Sequence, residues 1–186
     1  SKEVAISWYK CRLQNMLPDD TFKDSVSKGI SHFDDKFIRF IDSIIPQMYQ
    51  YILANDKLIK CSERAVDDVI KSIVSVDDLC IGTNAAYISL KTSNIQSVNY
   101  HEHYLNRLSE YNEVALPIHV DEKPVAVLSL FSKDKINEYD IIKIKDALLR
   151  YQQNENFQVE LEKSKNQDKD RIDLIDYFVL PSLQMS

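Results

Sequence analysis

Apolar residues at helical spacing mark the first two predicted elements of the chain. Residues 3–16 carry an apolar stripe and predict a helix that Pro18 stops, because proline cannot continue a helix. Residues 33–44 carry a broader stripe and predict a strongly amphipathic helix, which Pro46 ends. The apolar residues of the two stripes are Val4, Trp8, Cys11, Phe37, Phe40, Ile41 and Ile44.

Beta-branched residues and turn residues predict five strands further along the chain. Four of them form two hairpins, whose turns each contain aspartate and lysine. The predicted strands are residues 48–54, 58–61, 95–98, 114–120 and 124–131. Because the strands of a hairpin are antiparallel, the sheet is predicted to be antiparallel.

Short helices are predicted between the two hairpins. One opens at Ser62 and runs to Ile73, and another follows Thr83, whose hydroxyl can cap its first turn. Residues 75–80 are predicted to form a loop, and a further short helix is expected near residues 103–108.

The last part of the chain returns to helical spacing. Residues 137–161 predict a long helix with a heptad-like seam. Residues 162–171 are nearly all charged or amide, and a final apolar face is expected before Pro181. The seam consists of Ile141, Ile144, Leu148 and Tyr151, and the final face of Ile172, Ile175 and Val179. The order of elements predicts an α+β domain, with an antiparallel sheet flanked by helices.

Composition narrows the possible functions. Only two of the 186 residues are glycine, Gly29 and Gly82, so the glycine-rich loops that cradle nucleotide phosphates are excluded. The formal net charge of −6 opposes direct binding to nucleic acid phosphates. The three cysteines lack C-x-x-C spacing, which favours buried thiols over a disulfide framework or a thiolate zinc site. No apolar run approaches the roughly 18 residues of a membrane helix. The start at Ser1 lacks a signal-peptide layout, so we expect a cytoplasmic piece of a longer chain without membrane contact.

Separated segments of the chain together carry a family resemblance. Three of them resemble the S-W-x-R-C-x-x-x-G-L-x-P, G-T-N-A and E-H-Y elements of sigma-54-dependent transcriptional activators, in the subgroup that controls acetoin and dihydroxyacetone operons. Two later segments are similar to that subgroup's A-A-P-I and V-L-D-L strands. The matching segments are Ser7-Trp8-Tyr9-Lys10-Cys11 with Leu17-Pro18, Gly82-Thr83-Asn84-Ala85, Glu102-His103-Tyr104, Ala115-Leu116-Pro117-Ile118 and Val127-Leu128-Ser129-Leu130. Their order and approximate spacing agree over residues 4–132.

The resemblance implies a GAF-like sensory domain at the amino-terminal end of an activator. In that family a PAS domain, an AAA+ ATPase and a helix-turn-helix can follow, and the ATPase needs a phosphate loop that two glycines cannot supply. RNA polymerase and DNA are therefore expected to be reached only through domains missing from this chain. The expected parts are a helical extension at residues 1–32, the GAF-like domain at 33–136, and a signalling and dimerisation helix with the start of a linker at 137–186.

Several positions depart from the subgroup's pattern. Lys10 stands where arginine is usual, and Asn15 or Met16 stands where glycine is usual. Glu113 stands where the subgroup often has cysteine, and Ser129 stands where it has aspartate. Because these replacements alter whatever the positions contact, the resemblance does not carry over the identity of a ligand.

A set of polar and aromatic residues forms the candidate ligand site. Thr83 and Asn84 lie at a predicted junction of loop and helix, where unpaired N–H groups can bind a small anionic or carbonyl ligand. A tight turn with a helix cap is the structural alternative. The tyrosines can line an apolar pocket, or they can be half-buried core residues. The candidate ligand-binding residues are Asn84, Tyr87, His103, Tyr104 and Tyr111.

No residue set predicts catalysis, a metal site or a cofactor. His101 and His103 lie two positions apart, so on a helix their rings face different directions and do not share a metal. The adjacent acids Asp77 and Asp78 are interpreted as solvated caps and surface charge. Cys80 has no basic neighbour in sequence that would stabilise a reactive thiolate. We expect no enzyme activity, because no candidate nucleophile has a positioned base.

The helices at the two ends are expected to pair with a second copy of the chain. In sensory modules such helices pack together and against a partner copy, which predicts a homodimer. Completion of a monomer's core is the alternative. The candidate dimerisation residues are Trp8, Cys11, Ile141, Ile144, Leu148 and Tyr151.

Two functions are compatible with these features. The first is a signal-sensing and dimerisation domain that restrains or releases a downstream ATPase when a small metabolite binds. The second is a protein-docking regulatory module, whose effector is a regulatory protein partner such as a metabolic enzyme subunit. Relatives that control dihydroxyacetone operons suggest the second function by resemblance alone.

Overall fold

A computed structural model describes residues 1–23 and 33–153 of the chain. Two single-turn 3₁₀ helices, Tyr100–Glu102 and Asn106–Leu108, follow the third strand. The longer elements are α1 (Lys2–Leu13), α2 (Asp35–Ile44), β1 (Gln50–Asn55), β2 (Lys60–Arg64), α3 (Asp68–Lys71), α4 (Asp78–Ile81), α5 (Ala85–Thr92), β3 (Gln96–Asn99), β4 (Asn112–Val120), β5 (Lys123–Ser132) and α6 (Glu138–Gln152).

The described strands form a five-stranded sheet in the order β2-β1-β5-β4-β3, and every neighbouring pair is antiparallel. The hairpin of β4 and β5 pairs from Asn112 with Ser132 to Val120 with Lys123 and contributes two central strands. This arrangement confirms the predicted α+β class and both predicted hairpins.

Both faces of the sheet are buried, because successive strand residues point to opposite sides. Helices α2 and α6 cover one face, and α5 with the short helices α3 and α4 covers the other. The buried strand residues under α2 and α6 are Tyr51, Leu53, Val114, Leu116, Leu128 and Leu130, and those under α5 are Ile52, Ala54, Ala115, Val127 and Phe131.

The segment after the first hairpin differs from the prediction. Residues 62–64 belong to β2 and pair with β1, where Tyr51 lies opposite Arg64, so the predicted helix start at Ser62 is wrong. The helix within the predicted range is the single turn α3, Asp68–Lys71. The Arg64 guanidinium donates to the carbonyl oxygens of Ile45 and Pro46 at 3.0 and 2.8 Å. Arg64 thereby supplies hydrogen-bond donors to carbonyl groups just after α2. The spacing of apolar residues along the sequence does not reveal such a contact.

Two other local predictions are also wrong. The predicted loop at residues 75–80 contains the start of α4, because the Asp77 side chain accepts a hydrogen bond from the Leu79 N–H at 3.0 Å and caps that helix. The helix predicted near residues 103–108 is replaced by the two 3₁₀ turns. In both places the elements are too short for apolar periodicity to identify them.

α1 ends at a Schellman motif well before Pro18. Asn15 has a positive φ of 56°, its N–H donates to the Arg12 carbonyl at 3.0 Å, and the Met16 N–H donates to the Cys11 carbonyl at 3.1 Å. Pro18 is therefore not the residue that stops the helix. Asn15 is thus the residue that stands where the subgroup usually has glycine. Its position needs left-handed backbone, which asparagine tolerates better than most residues.

Asn15→Ala is expected to lower the free energy of unfolding by about 1 kcal/mol, because alanine adopts left-handed backbone at a cost. Asn15→Gly is expected to leave it unchanged or to raise it slightly, since glycine pays no such cost. Urea denaturation measures both. Gln14→Ala is the matched control, because Gln14 has an ordinary φ of −89°. Equal effects of alanine at positions 14 and 15 would contradict the motif.

Some predictions fall outside the described residues. They concern the connection through Gly29, the helix beyond residue 153, the charged stretch at 162–171 and the final apolar face. The three-part division of the chain stays a prediction, although α1 and α6 both pack on the domain between them. Over residues 1–23 and 33–153, no helix has the length and apolar character needed to cross a membrane.

Candidate functional site

Buried polar groups join the inner face of α1 to the segment before α5. Thr83 Oγ1 donates to Ser7 Oγ at 3.0 Å, and Ser7 Oγ donates to Asp78 Oδ2 at 3.4 Å. The Cys11 thiol donates to the Asp78 carbonyl oxygen at 3.6 Å. All four residues are buried. The first and second motif segments are therefore in direct contact, although more than sixty residues separate them in sequence.

Lys10 compensates the charge of the buried Asp78 side chain. Its Nζ lies 2.7 Å from Asp78 Oδ1 and donates to the Tyr87 hydroxyl at 3.0 Å. Burial alone would lower the pKa of Lys10, but its hydrogen bonds to Asp78 and Tyr87 outweigh burial and raise that pKa. The interpretation of Asp78 as surface charge is therefore wrong. One feature of the sequence could have indicated that Asp78 is buried. Lys10 lies in the first motif segment, and a partly buried lysine needs a carboxylate partner.

The third motif segment contacts α1 through aromatic side chains. Trp8 Nε1 donates to the Glu102 carbonyl oxygen at 2.6 Å, and the rings of Trp8 and Tyr104 meet edge to face at 5.0 Å. The Tyr104 hydroxyl donates to the Met16 carbonyl oxygen at 2.5 Å. Glu102 also accepts from the Asn99 N–H at 2.8 Å, in a capping box. The first three of the five segments that carry the family resemblance thus pack together at α1.

The backbone at Gly82 requires glycine. Its φ is +74°, and a Cβ there would lie 3.1 Å from Leu105 Cγ and 3.2 Å from Tyr104 Cβ. The next helix is capped by Asn84 rather than by Thr83. Asn84 Oδ1 accepts from the Tyr87 N–H at 2.9 Å, and its Nδ2 donates to the Val76 and Gly82 carbonyl oxygens at 3.0 and 2.8 Å. Asn84 therefore ties the loop, the turn and the helix together.

Glu113 is the buried acid at the centre of the domain. It projects from β4 to the N-terminus of α5, where it accepts from the Ala85 and Ala86 N–H groups at 2.7 and 3.1 Å. Ser129 on β5 donates its hydroxyl proton to the same carboxylate at 2.5 Å. Burial raises the pKa of Glu113 to about 7, against the opposing effect of these hydrogen bonds.

Glu113 and Ser129, the two strand residues that depart from the subgroup's pattern, are therefore hydrogen-bonded to each other. Glu113 and Ser129 lie on neighbouring antiparallel strands, so their side chains meet on the same face of the sheet. The sequence presents them only as departures from a pattern. In the register Glu113 lies opposite Phe131, and Ser129 lies opposite Ala115. Glu113 and Ser129 therefore form a diagonal pair on one face, and the hairpin register is the signal that could have paired them.

His103 lies beside this acid and is fully buried. Its Nδ1 is 3.1 Å from the Thr83 carbonyl oxygen and 3.9 Å from Glu113 Oε2. Its Nε2 has no hydrogen-bond partner among the described residues. Burial lowers the pKa of His103 to about 4, although the carbonyl groups of Thr83, Tyr111 and Val98 act in the opposite direction. The ring is therefore neutral at physiological pH.

Tyr111 belongs to a different part of the site. Its hydroxyl donates to Asp67 Oδ2 at 2.8 Å, and its ring meets Phe131 edge to face at 6.5 Å. Asp67 also accepts from Gln50 Nε2 at 2.7 Å. Burial, together with the hydrogen bond to Asp67, raises the pKa of Tyr111. These contacts tie the connection between β2 and α3 to the strand β4.

The candidate ligand residues thus fall into two groups. The first group borders the motif network around α1, and Tyr111 stands apart from it on the Asp67 side. Ligand binding by the five residues stays a prediction. The first group consists of Asn84, Tyr87, His103 and Tyr104.

The candidate dimerisation residues make contacts within their own chain. Ile144 and Leu148 are buried against the sheet, Ile141 and Tyr151 pack beside them, and Tyr151 stacks on Phe40 with ring centres 4.1 Å apart. On α1, Cys11 is buried and Trp8 packs against the domain. The homodimer stays a prediction. In the described ranges no group of three histidine, cysteine or acidic side chains could hold a metal ion.

Comparison with known proteins bears on the fold. No protein-family model and no curated protein sequence matches the chain. Among solved structures, the E. coli DhaR(N)–DhaL complex is similar with a TM-score of 0.62 and 12% identity, covering 94% of this chain and 67% of that one.

Two other similar structures have lower scores. A GAF domain/HD domain protein from Geobacter sulfurreducens has a TM-score of 0.46 and 10% identity, over 68% of this chain and 88% of its own. A type II free methionine-R-sulfoxide reductase from Thermoplasma acidophilum has a TM-score of 0.46 and 10% identity, over 61% of this chain and 82% of its own. At such identities a likeness concerns the fold alone, and the match with a TM-score of 0.62 agrees with the α+β fold described above.

Proposed function

We propose that this chain is the regulatory input domain of a sigma-54-dependent transcriptional activator and that its effector is a protein. We prefer a protein effector to a small metabolite because the candidate ligand residues already make hydrogen bonds within the chain. The Asn84 amide and the hydroxyls of Tyr104 and Tyr111 are already bound to groups of the same chain. A small polar ligand that needs the donors of these groups would have to displace the existing hydrogen bonds, and a buried group left without a partner costs about 1–3 kcal/mol.

Two further facts support this proposal. Three of the five motif segments of the activator subgroup pack around α1, so this part of the resemblance concerns residues that are connected in space. The similar structure with a TM-score of 0.62 is a complex of DhaR(N) with another protein, DhaL. In this proposal the ATPase that the domain controls belongs to a downstream part, and the domain itself carries no catalytic step.

The proposal predicts a stoichiometric protein complex. The tagged chain, captured from an extract of its source cells and analysed by native mass spectrometry, is expected to carry one protein per domain. Binding of that purified protein to the purified chain is then measured by calorimetry. A chain recovered with a bound small molecule and without a protein would overturn the proposal.

Small-metabolite sensing is the second candidate, and His103 favours it. The fully buried Nε2 lacks a hydrogen-bond partner among the described residues. A ligand with an N–H or O–H group can donate a hydrogen bond to it. In that case Asn84→Ala and His103→Ala would weaken binding of the retained metabolite in calorimetry. Unchanged binding in both variants would exclude the site.

A further inference from the structure

The outward face of α1 carries large apolar side chains exposed to solvent. Ile6, Tyr9 and Leu13 are 58, 65 and 61% exposed, and Leu17, just after the helix, is 64% exposed. The first three lie three and four positions apart and share one face of the helix. The opposite face, with Val4 and Cys11, is buried in the domain. Apolar residues on both sides are typical of a helix covered on both sides.

A surface depression lies along the same helix. It has a volume of about 440 Å³ and is lined by residues of α1 together with Glu102. Trp8 and Tyr9 are among its lining residues, so the depression continues the exposed apolar face. An apolar face with an adjoining depression gives a partner's side chain a place to insert.

The exposed charged residues of α1 are basic, and the nearby acids are partly buried. Lys2 and Arg12 are exposed, whereas Glu3 is only partly exposed. Glu102, at the edge of the depression, is also partly buried, and its carboxylate accepts from the Asn99 N–H. The formal net charge of the whole chain is −6. In a two-fold pairing with a second copy, each patch would meet the same basic patch, which is unfavourable. Anionic membranes bind clusters of about 4–8 basic residues, and this face has two. The negative net charge of the chain would also be repelled by such a membrane. An acidic protein surface complements the face.

We propose that the outward face of α1 is the docking surface for a protein partner that presents an apolar patch rimmed by aspartate and glutamate. This inference rests on the proposed function, and it adds the location of the surface and the chemistry of the partner. The apolar residues Ile6, Tyr9 and Leu13 supply the buried contact area, and Lys2 and Arg12 select the acidic rim.

The test uses two helical peptides of about 20 residues as probes. Both have leucines at every third or fourth position, and the remaining positions are glutamate in one peptide and lysine in the other. The acidic peptide is expected to bind the chain and to bind more weakly as salt is raised, while the basic peptide does not bind. Lys2→Glu with Arg12→Glu, and separately Ile6→Ser with Leu13→Ser, are each expected to weaken binding at least about tenfold.

Matched controls lie on α6, which exposes Ile142 and Leu149 beside Lys143 and Arg150. Lys143→Glu with Arg150→Glu, and Ile142→Ser with Leu149→Ser, are expected to leave peptide binding unchanged. Equal losses on α1 and α6, or equal binding of both peptides, would overturn the inference. So would binding to phosphatidylglycerol vesicles that the α1 variants abolish, or an α1-dependent dimer in sedimentation.

The two proposals fail in different ways. If a stoichiometric protein is captured but the α1 variants bind it as tightly as the unaltered chain, the docking surface is wrong and the proposed function stands. If only a small molecule is recovered, the proposed function is wrong, and the docking surface that rests on it falls as well. The α1 variants change exposed side chains, so unchanged thermal unfolding shows that any loss is a loss of binding.

Discussion

Glu113→Ala is expected to lower the free energy of unfolding by about 3–5 kcal/mol. The substitution removes the acceptor of three buried donors, the N–H groups of Ala85 and Ala86 and the Ser129 hydroxyl. Each unsatisfied buried donor costs about 1–3 kcal/mol. Glu113 is also one of the few polar groups in an otherwise apolar layer under α5, so its removal leaves a cavity beside them.

Urea denaturation of the purified chain measures this loss. Glu110→Ala is the control, because Glu110 is three residues away and its side chain is 74% exposed. It is expected to change the free energy of unfolding by less than about 0.5 kcal/mol. Glu113→Gln should fall between the two, because its amide keeps one acceptor oxygen for the three donors. A Glu113→Ala variant as stable as Glu110→Ala would show that the carboxylate does not hold β4 to α5.

The β4–β5 hairpin and α2 were predictable from the sequence because each has a strong periodic pattern. The predicted strands 114–120 and 124–131 lie within the observed Asn112–Val120 and Lys123–Ser132. Their alternating residues are buried on two faces, and the turn between them has positive φ at Asp121 and Glu122, as a tight hairpin requires. α2 places Phe37 and Ile41 toward the sheet, as its apolar stripe indicates.

The predictions that failed concern side chains whose hydrogen-bond partners lie elsewhere in the fold. Arg64 looked like the first turn of a helix, but its guanidinium reaches carbonyl groups after α2. Asp78 looked like surface charge, but Lys10 and Ser7 hold it inside. Both partners lie far away in sequence, so local periodicity carries no information about them.

The ligand site stays a prediction, and the sequence did not reveal the hydrogen bonds that its residues make. The first three motif segments contact one another around α1, and the other two lie in the central strands β4 and β5. Asn84, however, is a helix cap whose hydrogen bonds are made within the chain, which matches the structural alternative for the Gly82–Asn84 turn. In the sequence, the buried acid Glu113 stood out only as a departure from the subgroup's pattern. Its partners at Ala85 and Ala86 are backbone N–H groups, which almost any residue supplies.

Glu113 and His103 are expected to give the chain opposite pH dependences of stability that largely cancel. The pKa of Glu113 is about 7 in the folded chain, above its ordinary value of 4.5. Its contribution to stability is therefore complete below pH 4.5 and is lost as the pH rises to about 7. The pKa of His103 is about 4, below its ordinary 6.5, so its contribution is complete above pH 6.5 and is lost as the pH falls to about 4. Each contribution amounts to about 3 kcal/mol over its range.

Removing one group exposes the dependence of the other. In Glu113→Gln, the free energy of unfolding is expected to rise between pH 4 and 6.5, relative to the unaltered chain, because the His103 contribution is no longer offset. In His103→Asn, whose amide can still donate to the Thr83 carbonyl, it is expected to fall between pH 4.5 and 7. Urea denaturation at half-unit pH steps measures both profiles, and His101→Asn, an exposed neighbour, is the control. Slopes of the same sign in the two variants would contradict the buried pair, because a shared slope would have to arise elsewhere in the chain.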